Sequence, residues 1–178
     1  MQKSNNGFTL IELIIVIAII AIMAVVVFIA LPEFLAKARD AQRLADANQI
    51  QAALSRYLLK ESNFPSNRDN DASGWDCNYD SSDAGGFIAD LTDEGYITTI
   101  FDPSSNISIC YLGGMRYYRY SPGSYSCATA KGYFYVLEID DIETSTGTHE
   151  DSPGFSCTGR DWGTEAEWVT GQFQYPTL

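Results

Sequence analysis

Histidine is nearly absent from this 178-residue chain, which contains only His149. Catalytic triads and Cys/His zinc sites depend on histidine as a base or a ligand, and His149 lies in a polar stretch typical of a solvated loop. The sequence also lacks a glycine-rich phosphate-binding loop and a nucleophile-elbow motif. We therefore do not expect an enzyme.

Positive charge is scarce in the C-terminal part of the chain. From Asp69 to Leu178 there are four basic residues against eighteen acidic ones, whereas residues 32–68 carry six basic residues against four acidic ones. A surface this acidic repels phosphate backbones. We therefore expect no direct nucleic-acid binding through this part of the protein.

The most informative feature that is present is a 24-residue apolar stretch, Phe8–Leu31, whose only charged residue is Glu12. As a helix it would be about 36 Å long, enough to span a hydrocarbon core of about 30 Å. A lone carboxylate inside such a helix is costly unless something neutralises it, so Glu12 is a functional candidate. A secretory signal peptide does not fit, because its apolar region runs about 7–15 residues and ends at a small-residue cleavage site.

The start of the chain resembles the class III leader of type IV pilins and pseudopilins. The resemblance rests on Gly7, Phe8, Thr9, Leu10 and Glu12, followed by the long Ile/Val/Ala run. It implies that a membrane peptidase cuts between Gly7 and Phe8 and that Phe8 is then N-methylated. It also implies that Glu12 pairs with the Phe8 amine of a neighbouring subunit during assembly, where opposite charges in a low dielectric attract strongly. The alternative is a plain membrane anchor in which Glu12 snorkels to the interface.

The sequence predicts one long helix that begins at Phe8 and ends near residue 60. Its second half is rich in alanine, and Pro32 is predicted to break or kink it, because proline removes a backbone hydrogen bond. One face of this second half is apolar at helical spacing. Its residues are Leu44, Ala47, Ile50, Leu54, Tyr57 and Leu58.

The rest of the chain predicts a globular head with an antiparallel sheet and long loops, which makes the fold α+β. Alternating aromatic and β-branched residues indicate the strands: Ile107–Tyr111, Arg116–Tyr120, Tyr133–Ile139 and Glu167–Phe173. The tyrosines in this region could stack on bases or sugars or pack across strands, and their strand spacing favours packing. We divide the chain into a leader (1–7), a membrane or filament-core helix (8–31), an amphipathic helix half (32–62) and a head (63–178).

Four cysteines fall in the predicted head: Cys77, Cys110, Cys127 and Cys157. An even count in an exported domain indicates two disulfides, with three possible connectivities. We favour the pairs of sequence neighbours, Cys77–Cys110 and Cys127–Cys157, and free buried thiols are the alternative.

A polar loop between the helix and the first strands could bind calcium. Asp69, Asp71, Ser73 and Gly74 follow the 1, 3, 5, 6 spacing of a calcium loop, with Asp80 at the twelfth place. The alternative is a solvated loop, because the last position is Asp rather than Glu and no helix is predicted directly after it. A weaker second candidate is the acidic cluster Asp140, Asp141 and Glu143. We expect no other cofactor.

The resemblance implies a structural role, and we expect a major pilin of a type IV pilus. Such a subunit polymerises through its N-terminal helix into a surface filament for attachment, motility or DNA uptake. Its partners would be further copies in a helical filament, the prepilin peptidase, the pilus assembly platform and motor, and the membrane before assembly. The precursor would lie in the inner or cytoplasmic membrane with its head outside, since Lys3 precedes the helix, and the mature form in an extracellular pilus.

Two alternatives to a major pilin remain open. The first is a pseudopilin of a type II secretion or competence system. The second, from another class, is a single-pass membrane-anchored binding protein that keeps its N-terminus.

Overall fold

The computed structural model describes residues 8–67, 74–78, 86–104, 114–140 and 142–177. Its first element is a 52-residue helix, α1 (Leu10–Glu61), which begins after the N-cap residue Thr9. Ser62 follows the helix with a φ of 55°, and its N–H donates to the carbonyl oxygen of Leu58 at 2.9 Å. A residue in the left-handed conformation cannot continue a right-handed helix, so α1 ends here.

Pro32 lies inside α1 and does not end it. The predicted break at Pro32 is therefore not present in this structure, where α1 continues as one helix on both sides of the proline. The proline ring fixes φ close to the helical value, so Pro32 removes one N–H donor while the hydrogen bonds of the adjacent turns remain.

The first half of α1 exposes its apolar side chains. None of its most apolar 18-residue stretch is buried inside the protein. The first buried residue of the helix is Asp40. By length and composition, α1 therefore contains a segment that could cross a membrane.

A four-stranded antiparallel sheet forms the head. Its strands, in the order in which they lie side by side, are β1 (Asp76–Cys77), β2 (Gly114–Tyr120), β3 (Phe134–Asp140) and β6 (Trp168–Phe173). A separate two-stranded ribbon pairs β4 (Ser156–Cys157) with β5 (Arg160–Asp161), and a short helix, α2 (Ala89–Asp93), lies between β1 and β2 in the chain. One long helix with an antiparallel sheet is the predicted α+β fold.

Three of the predicted strands are confirmed, because β2, β3 and β6 coincide with them to within two residues at each end. The fourth, Ile107–Tyr111, lies outside the described residues. The sequence did not predict β1, whose two residues pair with Arg116 and Tyr117 of β2.

The inner face of the sheet packs on the second half of α1. Side chains alternate between the two faces of a strand, so Tyr117 and its cross-strand partner Leu137 share this face. They meet Ala47, Ile50 and Leu54 of α1, and all five side chains are fully buried. The predicted apolar face of the helix is therefore confirmed as half of this inner core.

The outer face of the sheet carries a second, largely aromatic core. Tyr120, Phe134 and Val136 point to this side and pack with Trp162, which follows β5. Trp162 is fully buried, and its ring centroid is 5.8 Å from that of Phe134 and 5.3 Å from that of Tyr120. The C-terminal segment thus covers the outer face, and the sheet is sandwiched between α1 and this segment.

Candidate functional site

The N-terminus of α1 is closed by a reciprocal pair of bonds between Thr9 and Glu12. The Glu12 carboxylate oxygen Oε2 accepts from the backbone N–H of Thr9 and from its hydroxyl, each at 2.8 Å. The Glu12 N–H donates back to the Thr9 hydroxyl oxygen at 3.3 Å. This is a capping box, in which two N–H groups that have no partner within the helix are satisfied.

The capping box gives Glu12 a role inside its own chain, which our sequence reasoning missed. The signal was present, because a threonine followed three residues later by a glutamate before an apolar run is a typical helix start. Both bonds from Thr9 end on the same carboxylate oxygen. The other oxygen, Oε1, therefore remains geometrically available to accept a hydrogen bond from outside the chain.

The side chains around Glu12 lie at the surface of the chain. Phe8 is 89% exposed, and the large apolar residues from Leu10 to Phe34 are all at least 46% exposed. Such a continuous apolar surface is far beyond the patches that soluble monomers expose. It must be covered by lipid or by other protein.

Where α1 meets the head, a buried arginine joins it to the loops of the head. Arg43 is fully buried, and its Nε and Nη2 donate to the two carboxylate oxygens of Asp102 at 2.9 and 3.0 Å. Its Nη1 donates to Asp40 at 2.8 Å and Glu143 at 3.1 Å, and Nη2 also reaches the Ser104 hydroxyl at 2.6 Å. All five N–H donors of the guanidinium are therefore used.

Asp40 holds the loop after β3 against the same part of α1. Its carboxylate accepts from the backbone N–H groups of Glu143 at 3.0 Å and Thr144 at 2.9 Å, and from the Thr144 hydroxyl at 2.7 Å. Arg39 adds an ion pair with Glu143. The four charged residues Asp40, Arg43, Asp102 and Glu143, here called the Arg43 cluster, fix the helix to two separate loops of the head.

The ionisation of the Arg43 cluster follows from its pairing. Burial by itself would raise the pKa of Asp102, but the hydrogen bonds from Arg43 and Ser104 outweigh it and hold that pKa below its usual value. The pKa of Glu143 is also lowered, first by its hydrogen bond from Arg39. Burial would lower the pKa of Arg43, yet its bonds to Asp102 and Glu143 leave it above the ordinary value. Arg43, Asp102 and Glu143 are therefore all charged at neutral pH.

One of the two predicted disulfides is confirmed. Cys127 is bonded to Cys157 across 30 residues of sequence. Cys77, on β1, is also disulfide-bonded, whereas Cys110 lies outside the described residues. The Cys127–Cys157 bond ties the loop after β2 to the ribbon that covers the outer core.

The predicted calcium ligands Asp69, Asp71, Ser73 and Asp80 lie outside the described residues, and so does Asp141 of the second candidate. The two other members of that cluster are paired with arginines: Asp140 with Arg116 at 2.5 Å, and Glu143 within the Arg43 cluster. Within the described ranges no group of three His, Cys, Asp or Glu side chains is placed to hold a metal ion. Calcium binding at the Asp69 loop stays a prediction.

The tyrosines of the head divide between packing and exposure. Tyr117, Tyr120 and Tyr135 are buried, as cross-strand packing predicts, whereas Tyr125 is 44% exposed.

His149 is half-buried, and its Nδ1 accepts from the N–H of Asp151 at 3.2 Å.

The comparisons with known proteins bear on the N-terminal segment. Residues 2–28 match the family described as "Prokaryotic N-terminal methylation motif". This motif is the hallmark of type IV pilin and pseudopilin precursors. No curated protein and no solved structure matches the chain.

The motif agrees with the geometry described above. It includes Phe8, Thr9 and Glu12, and it ends at Phe28 inside the exposed apolar half of α1. Pilin-like proteins are structural rather than catalytic, and the motif implies processing by the prepilin peptidase and assembly into a pilus-type filament. The apolar helix and the class III leader are consistent with membrane anchoring of the precursor.

Proposed function

We propose that this pilin-like chain is the major structural subunit of a type IV pilus. In this proposal the peptidase cuts between Gly7 and Phe8, Phe8 is N-methylated, and α1 packs with the helices of other copies to form the core of the filament. The heads then form the filament surface, which serves attachment, motility or DNA uptake.

The observation that carries this proposal is the exposed apolar half of α1. A membrane could cover it in the precursor, where its length matches the hydrocarbon core. In a filament outside the cell no lipid is available, so the same side chains must be covered by neighbouring helices. The favourable free energy of such association is roughly proportional to the apolar area that is removed from water.

Glu12 supports the same conclusion through its charge. Cleavage before Phe8 would create a positive α-amino group four residues from Glu12, within the apolar part of the assembly. A neighbouring subunit's Glu12 can neutralise this amine through Oε1 while Oε2 keeps the bonds to Thr9. Each charge then reduces the desolvation penalty of the other.

The proposal is tested on filaments sheared from the surface of cells that produce the chain. We expect this chain to be the main component of long filaments, and mass spectrometry to find a mature chain that begins at Phe8 and carries one added methyl group. Short or absent surface filaments with a correctly processed N-terminus would instead identify a pseudopilin. An intact Met1 would refute processing and leave a membrane-anchored protein.

The orientation of the precursor is tested separately. Protease added to spheroplasts should digest the head and leave the membrane segment intact. Protection of the head would contradict the proposed topology.

A further inference from the structure

A pocket of about 460 Å³ opens on the outer face of the head, beside the outer core. Four of its lining residues are aromatic: Trp75, Tyr118, Tyr120 and Tyr125. Each ring contacts the next one in this series. The centroid distances are 5.5 Å between Trp75 and Tyr118, 4.4 Å between Tyr118 and Tyr120, and 5.6 Å between Tyr120 and Tyr125. Small-molecule sites span roughly 300–1,000 Å³ and are lined mainly by such side chains.

The charges of the pocket are internally balanced. Arg116 bonds to Glu138 and to Asp140, each at 2.5 Å. Arg160 forms a two-bond pair with Glu165, at 2.8 Å from Nε and 2.5 Å from Nη2. The two guanidinium groups are therefore already matched by carboxylates, and an anionic ligand would have to compete with them.

The same arginines also make the pocket a poor cation site. The Arg116 guanidinium carbon lies 5.1 Å from the Trp75 ring centroid, and that of Arg160 lies 4.8 Å from the Tyr125 centroid. A ligand cation that stacked on either ring would lie beside a guanidinium group of the same charge, which would repel it. The ligand class that fits both constraints is neutral.

Two hydroxyls and one carboxylate give the pocket hydrogen-bonding capacity. Arg160 Nη1 donates to the hydroxyl of Tyr125 at 2.9 Å and to that of Tyr120 at 3.3 Å. Each hydroxyl thus accepts a bond and keeps its own proton to donate. The Glu165 side chain is 35% exposed, so its lone pairs that are not used by Arg160 can accept from a ligand hydroxyl.

The exposed ring at the rim is held in a fixed position. Tyr125 adopts a left-handed φ of 51°, which is uncommon for a residue with a side chain. The Cys127–Cys157 disulfide lies two residues further on, and the Gly159 N–H donates to the Tyr125 carbonyl oxygen at 2.9 Å. A Cβ on Gly159 would lie 2.7 Å from that oxygen, so the close approach requires glycine. Such preorganisation lowers the entropy lost on binding.

We propose that this pocket binds a neutral saccharide. The C–H groups on one face of a pyranose ring carry partial positive charge and pack on the negative face of an aromatic ring, here Tyr125 and Tyr118. Sugar hydroxyls accept from the Tyr120 and Tyr125 hydroxyls and donate to Glu165. This inference concerns the head of a single chain and does not depend on filament assembly.

The test uses the full chain in a detergent without a sugar head group. Isothermal titration is carried out with methyl β-glucoside, methyl β-galactoside, N-acetylglucosamine, cellobiose, lactose and chitobiose. Inorganic phosphate, tetramethylammonium and a thymidine oligonucleotide serve as the anionic, cationic and nucleic-acid probes. We expect saturable binding of at least one saccharide with millimolar affinity, and none of the charged probes.

Substitutions then locate the binding. Tyr125→Ala should weaken it about tenfold, because loss of one stacking ring has an effect of this size. Glu165→Gln should also weaken it, whereas Tyr175→Ala, which removes a ring of similar exposure outside the pocket, should leave it unchanged. Near-ultraviolet circular dichroism verifies that each variant keeps the folded head.

Three results would overturn the proposal. They are the absence of saturable saccharide binding across the panel, saccharide binding that Tyr125→Ala and Glu165→Gln leave unchanged, and binding of a charged probe that Tyr125→Ala abolishes.

Discussion

Arg43 of the helix and Asp102 of the head form a planar two-bond pair across 59 residues of sequence. Their bonds are 2.9 and 3.0 Å long, and the two side chains are 0% and 1% exposed. A guanidinium matches a carboxylate in this geometry, which an ammonium group cannot do. The pair therefore fixes how the head is oriented on α1.

Replacement of Arg43 is expected to destabilise the head strongly. Arg43→Met would leave Asp40, Asp102 and Glu143 close together without their shared cation. Breaking a buried ion pair in this way costs about 3–5 kcal/mol. Denaturant unfolding of the head, followed by near-ultraviolet circular dichroism, measures the change.

The matched control for Arg43 is Arg56→Met, on an exposed position of the same helix. Its effect should stay within about 0.5 kcal/mol. Arg43→Lys should recover only part of the loss, because lysine cannot make the two-bond pair. Equal stability of the Arg43→Met and Arg56→Met variants would show that the cluster does not hold the head.

The stability of the head is expected to fall as the pH rises from mildly acidic to neutral. Burial raises the pKa of Glu138 from 4.5 to about 7, against the attraction of Arg116 and with a further contribution from Asp140. At pH values between 4.5 and about 7, Glu138 keeps its proton in the folded protein and loses it in the unfolded chain. Increasing pH therefore favours unfolding over this range. The lowered pKa values of Asp102 and Glu143 act in the opposite direction and reduce stability in more acidic solution.

Melting temperatures of the wild type and of Glu138→Gln, measured between pH 4.5 and 8, test whether Glu138 causes this pH dependence. The variant has no carboxyl group at this position, so its curve should be flatter over that range than that of the wild type. Glu150→Gln, at an exposed glutamate, should keep the wild-type curve. A Glu138→Gln curve that parallels the wild type would assign the pH dependence to other groups.

The Cys127–Cys157 disulfide is expected to stabilise the head by about 3–4 kcal/mol, from the chain entropy of a loop closed across 30 residues. The double variant Cys127→Ala/Cys157→Ala should lose this amount in denaturant unfolding. Membrane insertion should be unaffected, because it depends on α1. An unchanged unfolding midpoint would contradict the prediction.

Substitutions of Thr9 and Glu12 can separate the capping role of Glu12 from its charge. Glu12→Gln keeps a side chain that can close the capping box but removes the proposed partner of the Phe8 amine, at about 3–5 kcal/mol for the unpaired charge. Thr9→Val removes the hydroxyl of the cap and costs about 0.5–2 kcal/mol without changing any charge.

If charge neutralisation drives assembly, Glu12→Gln and Glu12→Val should insert and be cleaved but fail to form filaments. Thr9→Val should still form them. Electron microscopy of cells that have each variant as their only copy gives the result. Abundant filaments of normal length from Glu12→Gln would show that the charge is not needed.

The parts of the fold that local patterns specify were predictable from the sequence. The apolar face around Ile50 and the strands β2, β3 and β6 follow from helical and alternating periodicity over six or more residues. β1 has only two residues within a polar stretch, which gives no periodicity, and it exists because its backbone pairs with β2.

The Arg43 cluster could not be predicted, because its members lie up to 103 residues apart and each alone resembles a solvated charge. Only the spacing of Asp40 and Arg43 on one side of a helix was visible locally. The pocket was hidden for the same reason, since Trp75, Tyr125 and Arg160 come together only through the sheet and the disulfide. A local sequence pattern indicates a single helix or strand, whereas these two sites are formed by residues from several helices, strands and loops.

The first turn of α1 bears on how a peptidase can recognise the precursor. Proteases act on extended backbone, and Thr9 has an extended conformation with φ −79° and ψ 152°, while the helix begins only at Leu10. A cut between Gly7 and Phe8 would therefore need no unwinding of the helix and would remove neither Thr9 nor Glu12. Cleavage would therefore free the Phe8 amine and leave the capping box of Thr9 and Glu12 in place.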